Sequence, residues 1–186
     1  MSHAYHILIA DCRKQKPKAQ RELYELFSGK MLAVCYRYAR DQAEAEDMLQ
    51  EAFIKVFRSI DRYDDRGSLE GWIRRIVVNT AIDHIRKRKH QQNQLELNET
   101  ITEEVSESVL DKLEVEYLYA IIQALPAGYR VVFNLYAIEG YSHAEIGEEL
   151  GISESTSRSQ YTRARALLKK RISDLYMEKN VYKDVI

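Results

Sequence analysis

The chain has 186 residues, which is enough for one ordinary domain or two small ones. Hydrophobic residues make up 45% and charged residues 31%, so a packed soluble core is expected. No apolar stretch approaches the roughly 20 residues that cross a bilayer, which excludes membrane insertion through a spanning helix. The sequence holds only 7 Gly and 2 Pro and is rich in helix-forming residues, so it predicts an all-α fold.

The net charge of −1 conceals an uneven distribution. Residues 91–116 contain eight acidic side chains and one basic one, so this segment carries −7 and the rest of the chain carries +6. The acidic segment begins with a polar run and offers little apolar surface to bury, which favours a flexible linker. We predict an N-terminal domain over residues 1–90, a linker over 91–114 and a C-terminal domain over 115–180.

The first ten residues carry a short apolar patch without a basic leader or a small-residue cleavage site, so no signal peptide is expected. Cys12 and Cys35 lack metal-type spacing and are expected to be reduced thiols in a cytoplasmic protein. Helical periodicity then predicts four helices in the N-terminal domain, over residues 18–28, 30–40, 41–60 and 69–89. Asp41 is the expected N-cap of the third helix, and Ser68 caps the fourth.

The fourth helix has two faces. Its core side is predicted to carry Leu69, Ile73, Ile76, Val77 and Thr80. A second side carries Arg75, Asn79, Asp83 and Arg86, with Trp72 near the border between the two. The helix ends in a basic run over residues 86–89, which suits the negative end of a helix dipole as well as nucleic acid.

The C-terminal domain is predicted to begin with helices over residues 113–124 and 129–139. Ser142 and Glu145 then form a capping box that opens a short helix, and Gly151 suits the left-handed conformation that ends it. Ser153 caps a longer helix over residues 154–172. A short helix, a glycine turn and a longer basic helix are typical of a helix-turn-helix, whose second helix enters the major groove.

Helical phasing divides the second helix of this motif into two faces. One face is predicted to point inward and consists of Ser157, Tyr161, Ala164 and Leu168. The solvent face carries Arg158, Thr162, Arg165 and Lys169, with Ser155 and Ser159 beyond it. We expect the early residues to reach base edges, and Arg163, Arg165, Lys169 and Lys170 to meet phosphates. The alternative is a plain helical hairpin with a solvated basic face.

Three segments resemble the extracytoplasmic-function (ECF) group of bacterial RNA polymerase sigma factors. DQAEAEDMLQEAFIKVF at 41–57 is similar to the polymerase-binding helix of that group. GSLEGWIRRIVVNTAIDHIRKRK at 67–89 is similar to its promoter-melting and minus-ten-reading helix. Residues 125–168 resemble its minus-thirty-five-reading domain. The resemblance implies a four-helix sigma domain 2 and a helix-turn-helix sigma domain 4.

The resemblance also implies partners. A bacterial sigma factor has no catalytic activity and no cofactor, and it directs the polymerase core to promoters and aids their melting. Its core contacts are the coiled coil of the largest subunit and the flap. Its DNA contacts are duplex and melted single strand, and an inhibitory anti-sigma factor is a usual partner. Such a protein acts in the bacterial cytoplasm, at the nucleoid.

Site residues follow from the same resemblance. Polymerase binding is expected at Asp47, Gln50, Glu51 and Ile54. The minus-ten element is expected to meet Tyr63, Asp64, Trp72, Arg75, Asn79, Asp83, Arg86 and Arg88. The minus-thirty-five element is expected to meet Ser155, Arg158, Ser159, Thr162, Arg163, Arg165 and Lys169.

Alternatives remain open for several of these residues. The carboxylates of the third helix can simply solvate its surface. Trp72 can fill the core, and Asp83 can orient Arg86. The run Ser155-Thr156-Ser157 departs from the family, which often has Gly and then Thr-Val there, and Ser157 replaces an inward apolar residue. Gln160 and Tyr161 differ too, so no promoter preference is transferred.

No phosphate-binding glycine loop, nucleophile elbow or paired His-Glu metal motif occurs in the sequence, which argues against a nucleic-acid enzyme. No metal site is expected, although His3 and His6 are close in sequence. The competing hypothesis is a free-standing helix-turn-helix regulator that binds duplex DNA alone. The N-terminal domain distinguishes the two, because such regulators lack it.

Overall fold

The structure is a computed structural model that describes residues 3–95 and 120–183, with side chains at 5–88 and 120–174. Regular structure within these described residues is entirely helical, which confirms the predicted all-α fold. The chain divides into two compact units between Glu96 and Leu97. The predicted linker lies outside the described residues from position 96 onward.

The N-terminal unit contains helices α1 (His3–Arg13), α2 (Pro17–Tyr36), α3 (Gln42–Ser59) and α4 (Leu69–Leu95), with a 3₁₀ turn at Ile60–Arg62 after α3. Helices α2, α3 and α4 pack against one another, and α1 packs on α2. Their shared core is apolar and fully buried, and includes Leu23, Met31, Met48, Val56, Ile73 and Ile82. Burial of these faces supplies most of the stability of such short helices.

Two expectations about the N-terminal unit are wrong. The helices predicted at 18–28 and 30–40 are one continuous helix, α2, which passes through Gly29. A glycine inside a helix costs about 1 kcal/mol relative to alanine, but Phe27 and Met31 on either side are buried and hold the helix together. The N-terminal apolar patch also belongs to a helix that was not predicted, α1, in which Leu8 and Ile9 are buried.

The predicted helix starts are confirmed. The Asp41 carboxylate accepts a hydrogen bond from the Glu44 backbone N–H at 2.8 Å at the start of α3. Ser68 Oγ accepts one from the Gly71 N–H at 3.0 Å at the start of α4. Both contacts satisfy backbone donors that the first turn of a helix leaves without partners.

The C-terminal unit contains helices α5 (Ala127–Phe133), α6 (His143–Leu150) and α7 (Glu154–Lys183), and α5 continues into a π-helix at Asn134–Ile138. The helix predicted at 113–124 is described only at residues 120–123, which are helical. The helix predicted at 129–139 begins two residues early, and its second half is the π-helix rather than regular α-helix. Helices α5 and α6 both pack against α7.

Candidate nucleic-acid interface

The corner between α6 and α7 is a helix-turn-helix. Ser142 and Glu145 form both hydrogen bonds of the predicted capping box, and Gly151 ends α6 with a φ of 61°. A Cβ at Gly147 would lie 2.9 Å from the carbonyl oxygen of Ile152, so only glycine permits this close crossing. Ser153 Oγ accepts the Thr156 N–H at 3.0 Å and caps α7. The corner therefore fixes how α7 projects from the unit.

The outward face of α7 is exposed, as its helical phase predicts. All seven predicted minus-thirty-five residues are exposed: Ser155, Arg158, Ser159, Thr162, Arg163, Arg165 and Lys169. The Arg158 guanidinium forms an ion pair with Glu154 one turn earlier, and Arg163 Nη1 donates to Tyr129 Oη at 3.4 Å. Arg158 thus already has an intramolecular partner on its own helix.

The inward face of α7 explains why a serine is tolerated at position 157. Ser157 is fully buried, and its Oγ lies 2.9 Å from Nδ1 of the buried His143 on α6. The His143 ring stacks on Tyr136 with centroids 4.2 Å apart. A hydrogen-bonded polar pair therefore fills the position where the family often has an apolar residue, and it joins the two helices of the motif. Burial, and next the charge of Arg158, lower the pKa of His143.

A groove in the N-terminal unit lies between the end of α3, the 3₁₀ turn and α4. Its volume is about 440 Å³, and it is lined by Lys55, Arg58, Ser59, Arg62, Ile76, Asn79, Thr80 and Asp83. Two predicted minus-ten residues, Asn79 and Asp83, therefore lie in one concave surface with three basic side chains. Lys55, Arg58 and Arg62 are spaced three and four residues apart, which places them on one side of a helix. This spacing is visible in the sequence, but these three residues were not among the predicted sites.

Two residues that line the groove, Lys55 and Asp83, belong to an ion-pair network between α3 and α4. Lys55 Nζ lies 3.0 Å from both Glu51 Oε1 and Asp83 Oδ2, and His84 Nε2 lies 2.8 Å from Glu51 Oε2. Partial burial raises the pKa of Glu51, but hydrogen bonds from Lys55 and His84 outweigh it and hold that pKa below its ordinary value. Asp83 Oδ1 also lies 3.8 Å from Arg86 Nη1, in agreement with the alternative that Asp83 orients Arg86.

The remaining predicted minus-ten residues differ in exposure. Arg75, Asn79 and Arg86 are exposed on α4. Arg88 is not: 14% of its side chain is accessible, and its Nη1 donates to both carboxylate oxygens of Glu44 at 3.0 and 3.2 Å. Arg88 therefore ties the later part of α4 to the start of α3.

In the loop after the 3₁₀ turn, Tyr63 was expected to meet the minus-ten element but is buried in this structure. Tyr63 is 1% exposed, its ring centroid lies 5.5 Å from that of the half-buried Trp72, and its hydroxyl donates to the Gly67 carbonyl at 3.2 Å. Asp64 is exposed and accepts the Arg66 N–H at 3.2 Å. Tyr63 in this conformation organises the loop from inside and offers no surface for stacking.

The predicted polymerase-binding residues form one stripe on α3. Asp47, Gln50 and Ile54 are exposed, with Ile54 51% accessible despite its apolar side chain. Glu51 is half-buried because it belongs to the network with Lys55 and His84.

Other chemistry can be tested only within the described part of the chain. No group of His, Cys, Asp or Glu suited to a metal ion occurs in that part, and none of its helices could span a membrane. Cys12 and Cys35 are both buried, and neither forms a disulfide in this structure. Burial raises the pKa of the Cys35 thiol to about 12, so it stays protonated and unreactive.

Comparison with known proteins defines the class. Residues 23–91 match the family Sigma-70 region 2, and residues 115–168 match Sigma-70, region 4. The chain is therefore an RNA polymerase sigma factor. The ECF sigma factor SigW of Bacillus subtilis is 32% identical over 179 residues, which cover 90% of this chain and 96% of SigW. The chain belongs to the ECF group of sigma factors.

A second relative and a solved structure agree. The ECF sigma factor SigE of Mycolicibacterium smegmatis is 32% identical over 158 residues, which cover 80% of this chain but only 59% of SigE. The sigma factor RpoE of Bartonella quintana, solved with the anti-sigma factor NepR, has a similar fold, with a TM-score of 0.50 at 20% identity over 82% of this chain and 96% of that one. As a sigma factor, the chain directs transcription initiation at promoters, and the free-standing regulator is not favoured.

Proposed function

We propose that this sigma factor contacts one promoter at two places while it is bound to RNA polymerase core, and that it has no catalytic activity of its own. The domain over residues 1–90 meets the melted minus-ten strand, and the domain over residues 115–180 meets the minus-thirty-five duplex. The observation that carries the proposal is the exposed face of α7 on a helix-turn-helix, where every charged side chain from Arg158 to Arg171 is basic.

The minus-thirty-five contact is assigned to the outer face of α7. Arg158 lies in the second turn and is long enough to reach a guanine edge with two hydrogen bonds. Thr162 lies one turn further on, and Lys169 lies farther along, where a helix leaves the groove and meets phosphates. The exposure of all these side chains supports the assignment.

The minus-ten contact is assigned to the groove between α3 and α4. Single-stranded DNA is bound by basic channels that also hold unstacked bases. The groove combines three basic side chains with the hydrogen-bonding groups of Asn79 and Asp83. The basic side chains are those of Lys55, Arg58 and Arg62. We propose that one base of the melted strand enters it, with Arg75 and Arg86 toward the phosphates and the accessible edge of Trp72 beside the strand. Arg88 and Tyr63 support this surface from behind.

Core polymerase is the proposed partner of the α3 stripe. Asp47 and Gln50 offer polar groups around the exposed apolar side chain of Ile54. Such a pattern suits an interface in which the partner buries one aliphatic side chain at the centre and polar groups surround it. We assign it to the coiled coil of the largest subunit, and the C-terminal domain to the flap. We further propose that an anti-sigma factor inhibits the protein, and that it acts in the cytoplasm at the nucleoid.

The deciding experiment is transcription in vitro by purified chain plus core polymerase on candidate promoters. We expect transcripts that neither component gives alone, and none from any promoter would contradict the proposal. A gel shift without polymerase distinguishes the sigma factor from the competing hypothesis. Tight, specific duplex binding by the isolated chain would indicate a free-standing regulator. Affinity for promoter DNA is expected to fall steeply with salt as counterions are released.

A further inference from the structure

Helix α1 lies against the loop that follows the 3₁₀ turn. Arg13 Nη2 donates to the Tyr63 carbonyl oxygen at 2.6 Å, a contact between residues 50 positions apart. At the other end of the helix, His6 Nδ1 lies 3.9 Å from Asp65 Oδ2. His6 and Arg13 are seven residues apart, about two helical turns, and therefore lie on the same side of α1.

The loop has an unusual backbone that such contacts can hold. Asp65 has a φ of 60° and Gly67 one of 94°, and a left-handed residue with a side chain is uncommon outside tight turns. The hydroxyl of Tyr63 closes the loop from within by donating to Gly67, and the Tyr63 N–H donates to Ile60 at 3.2 Å. Arg13 adds a charged donor to the carbonyl of the same residue, so Tyr63 is fixed through its backbone and its side chain.

We propose that α1 positions this loop for promoter opening, and that Arg13 is the positioning residue. The inference rests on the proposed minus-ten function. The family match over residues 23–91 does not include α1, and nothing in the sequence pattern linked residue 13 to the DNA-binding face. Arg13 acts through Tyr63: it sets where the loop presents Asp64 to the melted strand, and it contacts no DNA itself.

The test uses full-length chain assembled with core polymerase. Binding of a single-stranded minus-ten oligonucleotide and opening of a promoter are measured for the wild type, Arg13→Ala, Arg13→Lys and the control Lys16→Ala. Lys16 is near in sequence and carries the same charge, but it pairs with Asp11 at 2.8 Å. Core affinity, minus-thirty-five duplex affinity and the thermal midpoint are recorded for each variant.

We expect Arg13→Ala to weaken oligonucleotide binding about tenfold, the cost of a lost hydrogen bond from a charged donor. Arg13→Lys should restore much of it, because the ammonium can donate to the same carbonyl. Lys16→Ala should bind as the wild type does. The slope of log affinity against log salt should stay the same in Arg13→Ala, because no phosphate contact is removed.

Three results overturn the inference. One is wild-type binding by Arg13→Ala. Another is a decrease of about 0.7 in the magnitude of its salt slope, which would mean that Arg13 meets a phosphate directly. The third is a loss of core affinity and of thermal midpoint that accompanies the loss of oligonucleotide binding, which would mean a purely structural role. Failure of the proposed function is distinguishable, because the wild type itself would then neither bind the oligonucleotide nor open a promoter.

Discussion

The two units carry their predicted DNA-binding residues in different states. On α7 these residues are all exposed, and Arg158 pairs only with a neighbour one turn away on the same helix. On α4, by contrast, Asp83 and Arg88 are bound to residues of α3. The C-terminal surface is formed before DNA arrives, whereas much of the charge on the N-terminal surface already holds that unit together. A charged residue in the sequence therefore predicts an accessible side chain more reliably on α7 than on α4.

The largest expected effect comes from a pair of arginines on α4. The side chains of Arg88 and Glu44 are both largely buried. Arg88→Ala removes two hydrogen bonds from a charged donor and leaves the Glu44 carboxylate with Arg40 alone, so it should lower the free energy of unfolding by about 2 kcal/mol. Arg86→Ala, two residues earlier and exposed, should change it by less than about 0.5 kcal/mol while weakening binding of the melted strand. Denaturant unfolding and oligonucleotide binding measure both.

This comparison fails if the two arginines behave alike. A stable Arg88→Ala protein that has lost strand binding would return Arg88 to the DNA-binding surface. The Glu44→Gln variant is a second check: it weakens the contacts of Glu44 with both Arg88 and Arg40, so it should destabilise the unit at least as much as Arg88→Ala without removing any positive charge.

A smaller effect is expected at Arg158, where only binding should change. Arg158→Ala should weaken minus-thirty-five duplex binding by the holoenzyme about tenfold to a hundredfold, the range for a lost base contact. Core binding should stay intact. Arg21→Ala is the matched control, because Arg21 forms the same kind of exposed pair with Glu25 one turn away, but in the N-terminal unit. Equal loss of core and DNA binding by Arg158→Ala would indicate misfolding instead.

The smallest effect concerns pH. The pKa of His143 is lowered in the folded chain from its ordinary 6.5, first by burial and then by Arg158, against an opposing contribution from Glu154. The unfolded chain therefore binds more protons, so this contribution to stability is complete above about pH 6.5 and falls on acidification. Unfolding of the C-terminal unit at several pH values measures it. His143→Gln, which cannot titrate, should lose this part of the pH dependence, and an unchanged profile would contradict the assignment.

The sequence was most informative where structure depends on near neighbours. Caps at Asp41, Ser142 and Ser153 and the left-handed Gly151 follow from contacts within a few residues, and all are confirmed. The exposed face of α7 followed from helical period alone. These features need no knowledge of the tertiary fold, which is why a single sequence predicts them.

Features that depend on packing between distant segments were missed. The bond between His84 and Glu51 joins residues 33 positions apart, and the one between Arg88 and Glu44 spans 44. The burial of Tyr63 depends in the same way on where Trp72 lies. Helix α1 has only a short apolar face, and α2 continues through Gly29 because Phe27 and Met31 pack in the core on either side of it. No local pattern encodes which side chains meet across two helices.

The glycine inside α2 offers a practical advantage. Nothing lies within 4 Å of the position that a Cβ at Gly29 would occupy, and its backbone is helical. Gly29→Ala should therefore raise the melting temperature by reducing the entropy of the unfolded chain, a gain of about 0.5–1 kcal/mol. It lies outside every surface assigned to DNA or polymerase. In a Gly29→Ala background, destabilised variants such as Arg88→Ala would stay folded at the assay temperature. Their DNA affinity could then be compared with that of fully stable variants.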